Sequence, residues 1–373
     1  MNYINNITEA IGHTPLLKLN RVGKDAGANV FVKLEHLNPS GSYKDRMALA
    51  MVEAAERGDT WNGKKLDEGG TVVEASAGNT APAVAMVCAA KGYKAKIFLY
   101  RYQLEGGKNT RMLITQAYGP QVGISSEPDV YLTPEQIEEF SKQAPDLLHV
   151  LSAKMDCQLE EDKTENCVWV DQIYNPYNYI GQESLGREIY TQLDGQIDAI
   201  GCSVSSGASL FGMVRGLAEN GVRPGLIFGV VPGGSEKYYD FPGEEADYGQ
   251  FSVSDMKSVI ADAVGLKKWV TEEPIVQKML DAGYPDKVFC VSDEDARNMA
   301  NRLCREEGIF CGMSSGANVA VALRIAKLLV GADTVPPADR TVFAKLYAKF
   351  AVFNVLMWVS APKENLRVLH LFI

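Results

Sequence analysis

Between residues 71 and 100 the chain reads TVVEASAGNTAPAVAMVCAAKGYKAKIFLY. An apolar run rich in β-formers gives way to a loop of small residues. A stretch of alanine, valine and methionine of helical length follows, and then a second β-rich run. A strand that is apolar at successive rather than alternate positions buries both of its faces. A helical crossover of this length joins parallel neighbours. The pattern recurs along the chain, with candidate strands at 29–35, 71–76, 96–100, 167–171, 197–204, 226–231 and 287–292. Candidate helices fall at 44–57, 80–92, 107–118, 134–144, 183–193, 207–220, 272–282, 293–307 and 315–330. This alternation predicts an α/β fold with mostly parallel, twisted sheets flanked by helices. With 373 residues, 46% of them hydrophobic, the chain can bury two cores. A charged, loop-like stretch, KMDCQLEEDKTEN (154–166), separates the two strand–helix series, and PGGSEKYYDFPGEEADYGQ (232–250) also reads as loop.

Charge and composition exclude several classes. A net charge of −10 gives no concentrated basic surface for nucleic acid. The four histidines (13, 36, 149 and 370) are widely spaced, which argues against a zinc site. Seven cysteines, an odd number with no CxxC pair, read as buried free thiols of a reducing compartment, Cys202 and Cys290 among them. MNYINNITEAIGHTP has no basic-then-apolar signal pattern, so a cytoplasmic protein is expected.

Three loops end a strand and open a helix: Ser76 to Asn79, Ser205 to Ser209, and Gly312 to Gly316. Each places small residues and free backbone N–H groups at a helix N-terminus beyond the carboxyl end of a strand, where open α/β sheets take anions. Small residues there also serve as plain helix caps. A fourth helix opens with a cation: NPSGSYKDR (38–46) puts Lys44 where the macrodipole is already positive.

In order, the chain carries IGHTPLLKLNRV, KLEHLNPSGSYKDRMALAM, EASAGNTA, DQIYNPYN and EEGIFCGMSSGAN. As an ordered set over residues 3–332 these resemble the cysteine synthase family (O-acetylserine sulfhydrylases), pyridoxal-phosphate enzymes of the tryptophan synthase β fold. The resemblance implies pyridoxal 5′-phosphate as cofactor, a small amino-acid substrate, and a homodimer with neither nucleic-acid nor membrane partner. Lys44 matches the lysine that joins the cofactor as a Schiff base. Positive potential at a helix start favours the neutral amine such a bond needs. Asn79 matches the asparagine beside the ring hydroxyl. Ser76, Ala77, Gly78 and Thr80 match the loop that closes on the substrate carboxylate, with Gln172 assisting. Ser205, Ser206, Gly207, Ala208 and Ser209 match the phosphate cradle, and Ser314 the serine at the pyridine nitrogen. The resemblance also implies a smaller mobile domain (40–160) bearing the substrate loop. A larger one (1–39 and 161–335) bears the phosphate loop, and an atypical tail (336–373) follows.

A serine at the ring nitrogen does not keep it protonated as a carboxylate would, which favours β-elimination and β-replacement over transamination. The implied reaction makes cysteine from O-acetylserine and sulfide through an aminoacrylate. YKDRMA (43–48) sides with the synthases rather than with the SxKxRGA of dehydratases. Alternatives are dehydratase-like elimination and a regulatory protein without catalysis. A further one is a lyase that releases sulfide from cysteine, with water giving serine. Asp262, in KSVIADAVG where the family has a glycine-rich GIGAGF segment, is the candidate general base for that lyase, or else a surface residue of a shifted loop. Other departures are SAGNTA for TSGNTG and SSGAS for GTGGT. Likeness stops near Asp333. The apolar run 341–359 is interrupted by Lys345, Lys349 and Asn354, and reads as a packed helix or partner surface. If the family's last strand is absent from this tail, an edge of the larger sheet is left open.

Overall fold

Successive apolar residues divide between the two faces of a sheet, and the strands at the heart of this protein do so. The computed structural model describes residues 3–60, 62–76, 78–100, 110–143, 145–232, 273–334 and 367–371. Four parallel strands form one sheet: β3 (Thr71–Ala75), β4 (Lys94–Leu99), β5 (Gln121–Ile124) and β6 (Cys167–Trp169), in the order β5-β4-β3-β6. Val72, Ile97 and Val168 face one apolar cluster, while Val73, Phe98 and Trp169 face the other. The first cluster is completed by α1 (Lys44–Arg57) and α2 (Thr80–Lys91). Flanking these are α3 (Thr110–Ala117), α4 (Pro134–Gln143) and α5 (Pro145–Lys163), the last supplying Leu148, Leu151 and Cys157 to the second cluster. This is the first of two compact units, within Met1–His13, Leu37–Ser184 and Phe251–Lys278.

The start of α1 is fixed by its packing. Met47, Ala48, Met51, Val52 and Ala55 are fully buried at helical spacing, and the helix stops at Gly58, whose φ of 73° suits glycine. Against its first turn lies α6 (Tyr177–Leu193): a Cβ on Gly181 would come within 2.7 Å of the Arg46 carbonyl oxygen. Only glycine permits that approach.

Two features of this unit differ from the sequence reading. Residues 154–163, loop-like by charge, form the end of α5. Their charge is compensated in place: Glu161 is buried and accepts from the Trp169 backbone N–H (2.7 Å) and from Asn62 Nδ2 (2.6 Å), and Lys96 pairs with Glu160 at 2.9 Å. The unit also runs on past residue 160, because β6 is hydrogen-bonded to β3.

The second unit lies within Thr14–His36, Leu185–Gln250 and Met279–Ile373. Its sheet has the order β1-β2-β10-β7-β8-β9, where β1 is Leu16–Lys18, β2 Asn29–Lys33, β7 Ala199–Ser203, β8 Leu226–Pro232, β9 Lys287–Val291 and β10 Arg367–Leu371. Only β1 runs antiparallel to its neighbour. The helices are α7 (Ala208–Ala218), α9 (Asp293–Glu307) and α10 (Met313–Thr334), with α8 (Ile275–Asp281) beginning in the first unit. Val30, Val32, Ala199, Phe228, Val319 and Ala322 form the core.

The tail thus does supply a strand, and an inner one. β10 pairs in parallel with β2 (Leu369 opposite Phe31) and with β7 (Leu369 opposite Ile200). RVLHL carries the β-forming residues such a strand needs, but the family-like text ends more than thirty residues upstream. The remainder of 336–373, apart from β10, and the loop 233–250 lie outside the described residues. Among the described residues no helix is long and apolar enough to cross a membrane. None of the seven cysteines is in a disulfide, but three depart from the expected burial: Cys290, on β9 at the edge of its sheet, and Cys304 are exposed, and Cys311 is half-buried.

Candidate active site

In the first unit, Lys44 is the first residue of α1. Tyr43, at the capping position, has helical backbone angles and makes no side-chain cap. The turn is held instead from both sides. The Ser40 backbone N–H donates to Asp45 Oδ2 at 2.7 Å, and Gln182 Nε2 donates to the Tyr43 carbonyl at 3.2 Å. Asp45 is fully buried and also accepts from Ser40 Oγ, so its carboxylate is structural support. Lys44 is half-buried: its backbone N–H donates to Ser42 Oγ at 3.2 Å, and its Nζ rests 4.8 Å from the Tyr43 ring centroid with no hydrogen-bond partner among the described residues.

The loop after β3 is the second element. Ser76 is buried, and its Oγ accepts from the Gly78 N–H at 3.1 Å. Asn79 stands at the N-cap of α2, yet its backbone is helical and its side chain caps nothing. The plain capping role therefore fails at this position. Thr80, also buried, donates from Oγ1 to Gln172 Oε1 at 2.6 Å. Gln172 is pinned further: its Nε2 donates to the Ala75 carbonyl (3.3 Å), its N–H to Glu74 Oε2 (3.1 Å), and its own carbonyl accepts from Asn178 Nδ2 (2.5 Å). Ser76, Gly78, Thr80 and Gln172 are thus assembled where β3 and β6 end. Ala77 and Asp262 lie outside the described residues.

Beneath them is a buried polar group that motif reading missed. Lys154 Nζ donates to Asp171 at 2.8 and 3.0 Å and lies 5.2 Å from the Trp169 ring and 4.7 Å from the Tyr174 ring. Burial pushes Glu74 up to about 8, and the Asp171 charge adds to the effect, while Lys154 and two backbone N–H groups oppose it. Burial also drives the Cys157 thiol well above its usual range, helped by Glu74 and Asp171. One sequence signal was available: Glu74 is a carboxylate inside an otherwise apolar strand.

In the second unit, α7 opens at Gly207, whose φ of 77° is left-handed and which gives no side-chain cap. Its first-turn N–H groups are left to other acceptors. Ser205 is exposed, Ser206 half-buried and Ser209 buried at the same turn. Ser203, at the end of β7, donates from Oγ to Asn318 Oδ1 at 2.6 Å and lies 3.4 Å from the Ser314 carbonyl. Ser314 is exposed and is thereby tied beside the Ser205–Ser209 loop.

Hydroxyls and uncapped N–H groups at one helix start are donors suited to a phosphate, and Lys44 offers an amine suited to an aldehyde. Each set fits one part of pyridoxal 5′-phosphate: Lys44 in the first unit its aldehyde, and the Ser205–Ser209 loop in the second its phosphate. Donors of this kind at a helix start beyond the end of a parallel strand mark a protein that takes a phosphate-bearing cofactor. The family model described as pyridoxal-phosphate dependent enzyme matches residues 7–343. Cysteine synthase B of Salmonella typhimurium is 32% identical over 334 residues, 89% of this chain and 91% of that protein. The chain belongs to the pyridoxal-phosphate dependent enzymes, as a divergent member of the cysteine synthase family. Two of the solved structures that share the fold illustrate it. One is a cysteine synthase from Entamoeba histolytica (TM-score 0.65, 20% identity, 99% of this chain and 87% of that one). The other is a hydrogen sulfide-producing enzyme from Fusobacterium nucleatum (TM-score 0.66, 23% identity, 100% and 96%).

Proposed function

We propose that the protein catalyses β-replacement on a β-substituted alanine, making cysteine from O-acetylserine and sulfide. The observation that carries this is the Thr80–Gln172 hydrogen bond at the strand ends, beside a loop whose Asn79 is left uncapping. When bound, pyridoxal 5′-phosphate supplies the electron sink that lets an amino acid lose its α-proton and then its β-substituent. Lys44 would hold that cofactor through its Nζ and would take the α-proton of the amino acid. Ser76, Gly78, Thr80 and Gln172 orient the substrate carboxylate, with Ala77 contributing backbone only. Asn79 would bond the ring hydroxyl, Ser205 to Ser209 would hold the phosphate, and Ser314 would offer a hydroxyl to the ring nitrogen. The protein works as a cytoplasmic homodimer.

A second reading runs the same residues toward sulfide release, with Asp262 activating water and serine as product. It is favoured by the aspartate standing where the family has a glycine-rich segment. Purified protein should be yellow, absorbing near about 410 nm, and O-acetylserine should replace that band by one at longer wavelength. Cysteine formed on adding sulfide supports the first reading. Sulfide released from cysteine, and abolished by Asp262→Asn, supports the second. Colourless protein that gains no band with added pyridoxal 5′-phosphate overturns both.

A further inference from the structure

Gln172 is held from below by two carboxylates that the reaction does not consume. Glu74, the penultimate residue of β3, accepts from the Ala75 N–H at Oε1 (2.8 Å) and from the Gln172 N–H at Oε2 (3.1 Å). Asp171 has the left-handed φ of 37° and accepts from Lys154 Nζ and from the Ile173 N–H (3.0 Å). Both acids are buried. Asp171 therefore fixes the turn that delivers Gln172, and Glu74 fixes the amide of Gln172 itself. The side chain of Gln172 then reaches Thr80 and the Ala75 carbonyl, so Glu74 holds both strands that end at the substrate loop.

We propose that Glu74 is a positioning residue: as a carboxylate it bridges the Ala75 and Gln172 amides and so sets Gln172 and Thr80 to grip the substrate's carboxylate. The inference rests on the proposed reaction for its substrate. Both partners of Glu74 are donors, so a proton on either oxygen turns an acceptor into a third donor and one amide loses its bond. The charged and titratable groups facing Glu74 are Asp171 from the turn after β6, and Lys154 and Cys157 from α5. Burial and Asp171 disfavour the charge and Lys154 favours it, which brings the change of state to about pH 8. Glutamine at 74 keeps the shape but offers one acceptor, and so mimics the protonated form at every pH.

The test compares holoenzyme with Glu74→Gln. At about pH 9 the variant should show a KM for O-acetylserine roughly 10-fold higher, with kcat within about twofold, and at about pH 6.5 the two proteins should coincide. A KM ratio that is the same at both pH values overturns the inference, as does a kcat lowered equally across the range. A second readout needs no turnover. In protein labelled with 15N-glutamine, the Gln172 amide, identified by its loss in Gln172→Asn, should move downfield as pH rises, with its midpoint near 8. A flat titration overturns the inference. If neither O-acetylserine nor cysteine reacts, the proposed reaction fails, and the amide titration still decides the role of Glu74.

Discussion

Thr80 Oγ1 donates to Gln172 Oε1 over 2.6 Å, which joins the first residue of α2 to the turn after β6. Thr80→Val removes the donor from a buried position and leaves the glutamine oxygen without it. An unmet buried acceptor costs roughly 1–3 kcal/mol. KM for the amino acid should rise roughly tenfold, about 1.4 kcal/mol, while kcat changes little. In a cycle with Gln172→Leu, the two substitutions should couple by on the order of 1 kcal/mol. Additive effects would show that the two side chains act separately.

Lys44 is poised in a different way. Its backbone is locked by α1 packing, while its amine meets only the Tyr43 ring among the described residues. Borohydride reduction of the coloured protein should fix the cofactor to the peptide bearing Lys44. Lys44→Ala should lose that adduct and slow turnover on the order of 1000-fold or more. Lys44→Arg should be no better, because a guanidinium does not give up its proton to become a nucleophile or base. An adduct mapped to another lysine would remove Lys44 from the reaction.

What was legible in the sequence is what depends on local pattern. The runs at 71–76, 96–100 and 197–204 became parallel strands because their apolar residues occupy successive positions. Lys44, Asn79 and Gly207 stand at helix starts, as the small-residue loops implied. Motifs of eight to nineteen residues, met in order, carried the family. Three things needed the fold. α5 was hidden because Lys154 and Glu161, charged residues, take buried positions that their partners 17 and 8 residues away make tolerable. β10 was hidden because a short strand is recognised by its neighbours, and these are β2 and β7, far off in sequence. The pairing of Glu74 with the Gln172 amide spans 98 residues and leaves no trace in either motif.

The Lys154–Asp171 pair offers a test of that hidden support. Lys154 keeps 5% of its side-chain surface and Asp171 none, so neither charge is screened by water. Lys154→Met strands the aspartate and should lower stability by roughly 3–5 kcal/mol. Lys154→Met with Asp171→Asn should recover much of that loss, since no lone charge is then buried. Urea unfolding followed by tryptophan fluorescence reports it, with Trp169 stacked beside the ammonium. A double variant as unstable as Lys154→Met alone would mean that the lost contacts, and not the stranded charge, set the cost.

Glu74 links stability to pH with a definite sign. Its ordinary value of 4.5 applies to the unfolded chain, and burial raises the folded value to about 8. Between those values the unfolded chain has released the proton and the folded chain keeps it. Folding therefore takes up a proton in that window, and rising pH withdraws stability at up to about 1.4 kcal/mol per pH unit. The contribution is whole below 4.5 and is gone once pH has passed through about 8. Glutamine at 74 carries no such proton, so the stability difference between the native protein and Glu74→Gln should shift steadily in favour of the variant from about pH 5 to about pH 8 and then level off. Urea midpoints measured for both proteins across that range give the difference, with the titrating groups that are not coupled to Glu74 cancelling. A difference that stays constant, or that moves toward the native protein as pH rises, would mean that Glu74 is already ionised in the fold at neutral pH. The carboxylate that grips Gln172 would then be formed without cost to stability.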